Sequence, residues 1–438
     1  MKLYDYISQQ NVEVSSTNKT VKMYVCGPTV YNHVHIGNLR PIITFDVLNR
    51  LLIELGYKVI FIHNITDIDD KIINKALQEQ KTEFEIAEFY EKKYLEILDV
   101  LNIHKQNMLF PKVSTHIKDI ENYIKKIMEN NFAYFKNGDV YFNTLKSNQY
   151  GTISNKKIDD LLIGEKSQLN SNKNNSQDFV LWKKTDIGLN WETEFSQGRP
   201  GWHTECACLI NKYLGVQTDI HGGGVDLKFP HHENENIQNI AVVGKPLARI
   251  WMHVGHLNIN NEKMSKSLQN FILAKDLLKT ESANTIRWFF YQTNFSNPLN
   301  FTTENLNNSK NELESIIYSL NVFKSYLIIE NKFKDLLNFK KEYIFELENS
   351  FNFPNQISFI LQKIKNGHTL LKQKKYEELN ELLFNTSYLL KNILGIIYPN
   401  IHNNQEITML KEWDDLKNKK EFKKSDAIRE KLIEKKLL

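Results

Sequence analysis

Lys263-Met264-Ser265-Lys266-Ser267 could bring two ammonium groups to a triphosphate from one short loop. Far upstream, His33-Val34-His35-Ile36-Gly37-Asn38 sets imidazoles at the start of an apolar helical pattern. Free backbone amides at a helix start bind phosphate well. A chain with both segments is built to activate something with ATP. A third segment, Pro230-His231-His232-Glu233-Asn234-Glu235-Asn236, is dense in possible metal ligands. On a helix, His231 and Glu235 share one face, and His232 and Asn236 share the next. Two further donors would have to come from elsewhere. Cys26 and Cys206 follow strand or turn segments that could converge on that face. Two thiolates, an imidazole and a carboxylate suit zinc. The competing reading is a hydrogen-bonded His–Glu surface pair and buried cysteines that act as small hydrophobes; the latter reading is kept for Cys208.

These residues need a scaffold, and the pattern supplies one. Val21 to Val25 reads as a strand ending at Cys26-Gly27-Pro28. An apolar helical stripe follows through Ile42, Phe45, Leu48, Leu51, Leu52 and Leu55. Pro41 fits only in its first turn, and Gly56 is its C-terminal stop. Val59 to Ile62 is then a buried strand. Strand, helix, strand is the unit of a parallel sheet. Thr218-Asp219-Ile220 and Ile250 to Val254 read as two more strands. Each segment that could do chemistry lies just past a strand end, where open parallel sheets bind ligands. The predicted fold is α/β: a Rossmann-like catalytic domain over 1–109 and 190–255, interrupted by an insertion over 110–189. A connecting fold holding the two lysines spans 256–304. A helical bundle spans 305–400, and short helices fill 401–438. The polar stretch 165–178 reads as a flexible loop.

Composition sets the outer limits. A chain of 438 residues with 41% hydrophobic content supports two to four domains. A net charge of +4 permits a nucleic-acid partner without arguing for one. Three cysteines do not make a disulfide framework. The N-terminus has no apolar signal core and no run approaches a membrane span. The expectation is a reducing, cytoplasmic enzyme with no membrane partner.

The ordered motifs resemble those of the cysteinyl-tRNA synthetases, a class I family. They are CGPTVYNHVHIGN from Cys26 to Asn38, NITDIDDKI from Asn64 to Ile72 and FVLWK from Phe179 to Lys183. GRPGWHTEC from Gly198 to Cys206, DIHGGGVDLKFPHHENE from Asp219 to Glu235 and EKMSKSLQNF from Glu262 to Phe271 follow in order. The resemblance implies one zinc ion on Cys26, Cys206, His231 and Glu235. It implies that cysteine and ATP, with Mg2+, form cysteinyl-adenylate, and that the cysteinyl group then passes to tRNA(Cys). Implied catalytic residues are His35, Lys263 and Lys266. Implied ATP contacts are His33, Asn38, Gly222, Gly223, Asp226 and Lys266, with the glycines letting backbone approach the nucleoside. Gly27, Thr66, Trp202 and His231 are implied to line the amino-acid pocket. The insertion would meet the acceptor end of the tRNA and the C-terminal helices its anticodon, with the chain a monomer.

Two positions depart from the family pattern. Asn38 stands where the first signature usually ends in His. The chain stops at Leu438, where family members usually continue with a tail containing glycine and tryptophan, so anticodon contacts would be fewer. Two rivals share parts of the pattern. A cysteine ligase of mycothiol biosynthesis has the same zinc and ATP motifs, but the anticodon-like stretch from Lys420 to Arg429 argues against it. A non-catalytic tRNA-binding paralogue would be expected to lose the lysines or the zinc ligands, and both sets are intact.

Overall fold

The structure is a computed structural model that describes residues 1–155, 173–264 and 270–438. The chain divides into two compact units. The first comprises Met1–Leu257, Lys263–Thr280 and Ser296–Pro298, and the second comprises Asn258–Glu262, Glu281–Phe295 and Leu299–Leu438.

A five-stranded sheet organises the first unit. Its spatial order is Ala248–Val254, Thr218–Gly224, Thr20–Val25, Lys58–His63, Met108–Leu109. All four neighbouring pairs are parallel. The chain starts in the middle at Thr20–Val25, builds outward on one side, then returns to build on the other. The strand order therefore reverses between Thr20–Val25 and Thr218–Gly224. A crevice at such a reversal, at the carboxyl ends of the strands, is where open α/β sheets bind ligands. The first four of these strands in the sequence reading are present. The short Met108–Leu109 strand has too little pattern to be read in advance.

The helix after the first strand spans Ile36–Glu54. It ends at Gly56, whose φ of 84° is one that L side chains rarely adopt, so the predicted stop is observed. Its start differs. The helix begins ahead of the apolar stripe, and Pro41 falls in the second turn. Proline has no N–H to give the Gly37 carbonyl, so that helical hydrogen bond is absent. Arg40 on this helix is 1% exposed, and its Nη1 donates to the carbonyls of Gly255 (2.8 Å) and Asn297 (2.7 Å). A buried guanidinium thus ties the helix to the end of the Ala248–Val254 strand.

Between the parallel strands sits a four-stranded antiparallel sheet of Ala133–Lys136, Asp139–Phe142, Phe179–Lys184 and Gly198–Pro200. Part of the stretch read as a loop, 165–172, lies outside the described residues. From Gly198–Pro200 the chain runs straight into the Trp202–Leu214 helix.

The second unit is mainly helical: Thr303–Ile329, Phe353–Lys372, Tyr376–Tyr388, Asn404–Asn418 and Phe422–Glu434. Leu410, Trp413, Leu432 and Leu437 form a buried cluster among the last helices. Asn403 caps the Asn404–Asn418 helix by accepting from the amides of Gln405 and Glu406. Among the described residues, no helix is long and apolar enough to cross a membrane.

Candidate metal centre and nucleotide cavity

Three segments distant in sequence deliver four donor side chains to one place. Cys26 follows the Thr20–Val25 strand, Cys206 sits in the Trp202–Leu214 helix, and His231 and Glu235 flank the start of the Glu233–Val243 helix. One ligand atom from each lies within 4.8 Å of all the others. The two sulfurs are 4.0 Å apart, far beyond disulfide length. Two thiolates bound to one tetrahedral zinc at about 2.3 Å would be about 3.8 Å apart. The donor set therefore fits zinc in both chemistry and spacing. Cys208, two residues on, lies in the apolar core, where burial pushes its thiol up to about 12.

The electrostatics of the cluster are those of paired charges. The Cys26 Sγ–H points at Cys206, and that contact outweighs burial to lower the Cys206 thiol to about 6. Cys26 itself is raised by burial and then by Cys206. Burial opposes charge on His231, but Glu235 and Cys206 outweigh it and raise the imidazole to about 10. Burial likewise opposes ionisation of Glu235, and His231 and His221 overcome it. The two groups are 2.7 Å apart.

A second tier holds these ligands in place. His221 Nδ1 is 3.1 Å from the Tyr24 carbonyl, and its Nε2 is 2.5 Å from Glu235 Oε2. His232 joins Cys26 Sγ at 3.5 Å and His253 Nε2 at 2.9 Å. Metal-binding carboxylates and imidazoles are commonly oriented in this way. Cys26, His221, His232 and Glu235 also satisfy the same distance criterion, as an overlapping donor set further inside. His221, His232 and His253 were not singled out as ligand supports in the sequence. Only the density of histidines past two strand ends hinted at them.

Beside the centre lies a cavity of about 420 Å³. Of the residues expected to meet substrates, Gly27, His33, His35, Asn38, Trp202 and Asp226 line it, together with the expected metal ligand Cys26. Gly222, Gly223, Thr66 and His231 are not among its lining residues. Gly222 cannot carry a side chain, because a Cβ there would meet the Phe45 ring at 2.1 Å. Gly27 is tighter still: a Cβ would lie 1.6 Å from the Asn64 carbonyl oxygen. Its N–H donates to Asn64 Oδ1 at 2.9 Å. Thr66, 2% exposed, accepts from Asn64 Nδ2 at 3.2 Å, so it steadies Asn64 from below. Trp202 is 42% exposed and packs on the His231 ring with centroids 4.4 Å apart. Lys266 and the side chain of Lys263 lie outside the described residues. Met264 beside them reaches the cavity wall, against Gly37.

Asn38 has a definite structural task. Its Oδ1 accepts the backbone N–H of His35, the helix N-cap, at 3.1 Å. This is half of a capping box, and a neutral imidazole nitrogen at the same place could also accept. Asn38→His is therefore expected to leave adenylate formation at or above its starting rate, read by pyrophosphate exchange. A collapse of rate would give Asn38 a role that histidine cannot fill.

His63 lines the rear of the cavity and sets a pH limit. Its Nδ1 is 2.9 Å from the Val25 carbonyl and its Nε2 is 2.7 Å from the Tyr94 hydroxyl. A carbonyl can only accept, so Nδ1 carries the proton and Nε2 accepts from Tyr94. Burial lowers this imidazole to about 4. The unfolded chain, at about 6.5, takes up the proton first as pH falls. Stability from neutral His63 is thus complete above about pH 6.5 and falls by about 1.4 kcal/mol per pH unit toward about pH 4. Urea midpoints should drop across that window, and less steeply in His63→Gln.

The comparisons agree with this geometry. The model for tRNA synthetases class I (C) catalytic domain matches residues 12–311. The fold is similar to that of a Mycobacterium tuberculosis methionyl-tRNA synthetase solved with methionyl-adenylate, with a TM-score of 0.64 at 13% identity over 86% of this chain and 89% of that one. Fold and site thus define a class I aminoacyl-tRNA synthetase. A cysteine–tRNA ligase of Malacoplasma penetrans is 67% identical over 100% of both chains. One from Ureaplasma parvum is 44% identical over 99% of both. The chain belongs to the cysteine–tRNA ligase family.

Proposed function

We propose that this chain joins cysteine to its tRNA at the expense of ATP, in the cytoplasm. A cysteine carboxylate oxygen attacks the α-phosphorus of ATP. The bond from that phosphorus to the bridging oxygen breaks, and pyrophosphate leaves with the electron pair. A ribose hydroxyl of the terminal adenosine of the tRNA then bonds to the carbonyl carbon of cysteinyl-adenylate. The carbonyl–phosphate bond breaks, AMP leaves, and the hydroxyl proton is lost to phosphate or water.

The observation that carries this reading is the convergence of Cys26, Cys206, His231 and Glu235, of which Cys26 also lines the cavity. These four would hold zinc. Bound there, zinc would accept a substrate thiolate as a further ligand in preference to a neutral hydroxyl. The chain's own residues do the rest. Trp202 closes the amino-acid side above His231. His33 and His35 meet phosphate at the helix start, and Asp226 accepts from ribose hydroxyls. Lys263 and Lys266 offset charge on the departing pyrophosphate with Mg2+. Positioning of carboxylate against phosphorus supplies much of the rate.

Charging of bulk tRNA with labelled cysteine tests this. Charging should occur, stop when a chelator removes zinc, and return when zinc is restored. An enzyme that consumes ATP with cysteine yet passes the product to an amino sugar would refute the tRNA assignment.

A further inference from the structure

The mainly helical second unit holds a cavity that no step of the ligation uses. Its volume is about 370 Å³, against about 420 Å³ for the nucleotide cavity, and the two share no lining residue. Cavities of this size take small molecules. The walls come from the Thr303–Ile329 helix, the stretch 333–335, the Tyr376–Tyr388 helix with the turn that follows it, and the stretch 396–400. Leu320, Leu383 and Ile396 form a buried apolar floor, and Phe333, Phe384 and Tyr398 add partly exposed rings. We propose that this cavity binds a small ring-bearing phosphate of the nucleoside monophosphate class. Such a site stands beside the ligase reading and does not depend on it.

Charge selects the anion. Lys324, Lys334 and Lys391 line the cavity, and Asp335 is the one acid in its lining among the described residues. Three ammoniums less one carboxylate leave a surplus of two positive charges. A phosphate monoester, at roughly −1.5 to −2 near neutral pH, matches that surplus better than a single carboxylate does. Lys324 is half-buried. Its Nζ lies 4.9 Å from the centre of the Phe333 ring and donates to Asn400 Oδ1 at 2.9 Å. Burial lowers this ammonium from its ordinary range, and Asp335 makes no ion pair with it and offsets only part of that effect. A half-buried cation with no anion in contact is costly, and a bound phosphate relieves it.

The other two lysines are held ready by the backbone. Asn380, 4% exposed, accepts from the Lys334 N–H at 3.2 Å and donates to the Lys334 carbonyl at 2.9 Å. The main chain is thus fixed, while the Lys334 ammonium has no partner among the described residues. Lys391 stands in a widened turn, Leu389–Ile393, where the Leu394 N–H donates to the Leu389 carbonyl five residues back at 3.0 Å. Such turns are rare and are frequent at functional sites. The 396–400 wall is tied to the same helix as Lys324: Ser325 Oγ lies 2.8 Å from His402 Nε2. The rings offer faces on which any base can stack. A free nucleotide fits better than a residue of RNA, because RNA backbone phosphates are met by surface cations and Lys324 is half-buried.

The test is equilibrium dialysis of the full chain against labelled AMP, GMP, CMP and UMP, with a cysteinyl-sulfamoyl analogue of the adenylate filling the nucleotide cavity. That analogue carries no phosphate. At least one of the four should still bind, at about one per chain, and more tightly than its nucleoside or inorganic phosphate. Lys324→Gln should weaken that binding by about 10- to 100-fold, the worth of one charge-assisted contact. Lys391→Gln, at an exposed position, should weaken it by about 2- to 5-fold. Cysteine-dependent pyrophosphate exchange should be unchanged in both. Lys391 is at the surface, so its variant tests the site even if Lys324→Gln does not fold. No binding beyond the analogue, a nucleoside that binds as tightly as its monophosphate, or unchanged affinity in Lys391→Gln would overturn the proposal. Displacement of the nucleotide by tRNA, with an equal loss of tRNA affinity in the variants, would give the cavity to RNA and overturn it as well.

Discussion

Cys206→Ser should abolish stoichiometric zinc binding and reduce cysteine-dependent pyrophosphate exchange by at least about 1,000-fold. The exchange of sulfur for oxygen is nearly isosteric at a position only 3% exposed, so packing changes little. What changes is the donor. Of the four converging groups, only the two thiols are soft, and a neutral hydroxyl is a poor replacement. Zinc content, measured after dialysis against a mild chelator, should fall from about one per chain to near zero. His232→Gln is the companion experiment, because His232 belongs to the inner, overlapping donor set. That variant should retain most of the metal. Zinc kept by Cys206→Ser and lost by His232→Gln would place the ion in the inner set and overturn the assignment. Circular dichroism of both variants guards against simple unfolding.

The same residues show what a sequence can disclose. His231 and Glu235 are four apart, so their shared face is a local property and readable from spacing. Cys26 and Cys206 are 180 residues apart. No local pattern brings them together, and their pairing rested on the resemblance of ordered motifs. The stop at Gly56 was legible because a left-handed residue is a demand of the backbone itself. The helix start was not, because Pro41 reads as a first-turn residue, whereas the His35–Asn38 cap starts the helix five residues ahead of it. His221 reads in sequence as the end of a strand running into three glycines, facing a nucleotide. In the fold it turns the other way and grips Glu235. The direction of a side chain at a strand end depends on sheet register, and that is fixed only when Ile220 pairs with Met23 on one side and Ile250 on the other.

Activation of serine should be slower than that of cysteine by at least about 10,000-fold in kcat/KM, equivalent to about 5.4 kcal/mol. Shape alone does not supply this. The two amino acids differ by one atom, and a pocket that compares size and weak contacts separates such pairs by about 100-fold. The walls nearest the metal centre offer nothing more. Gly27 presents backbone, Thr66 is buried under Asn64, and Trp202 presents an aromatic face. On the proposed reading, the difference comes from the donor that the substrate would add to zinc held by Cys26, Cys206, His231 and Glu235. A thiol beside a zinc ion gives up its proton near neutral pH, whereas an aliphatic hydroxyl keeps it and remains a weak ligand. The consequence is specific. Removing zinc should lower cysteine exchange steeply and serine exchange hardly at all, so the ratio should shrink toward about 100. Pyrophosphate exchange with each amino acid, with and without zinc, measures both quantities. Comparable rates for the two substrates, or a large ratio that survives zinc removal, would show that selection lies elsewhere in the pocket.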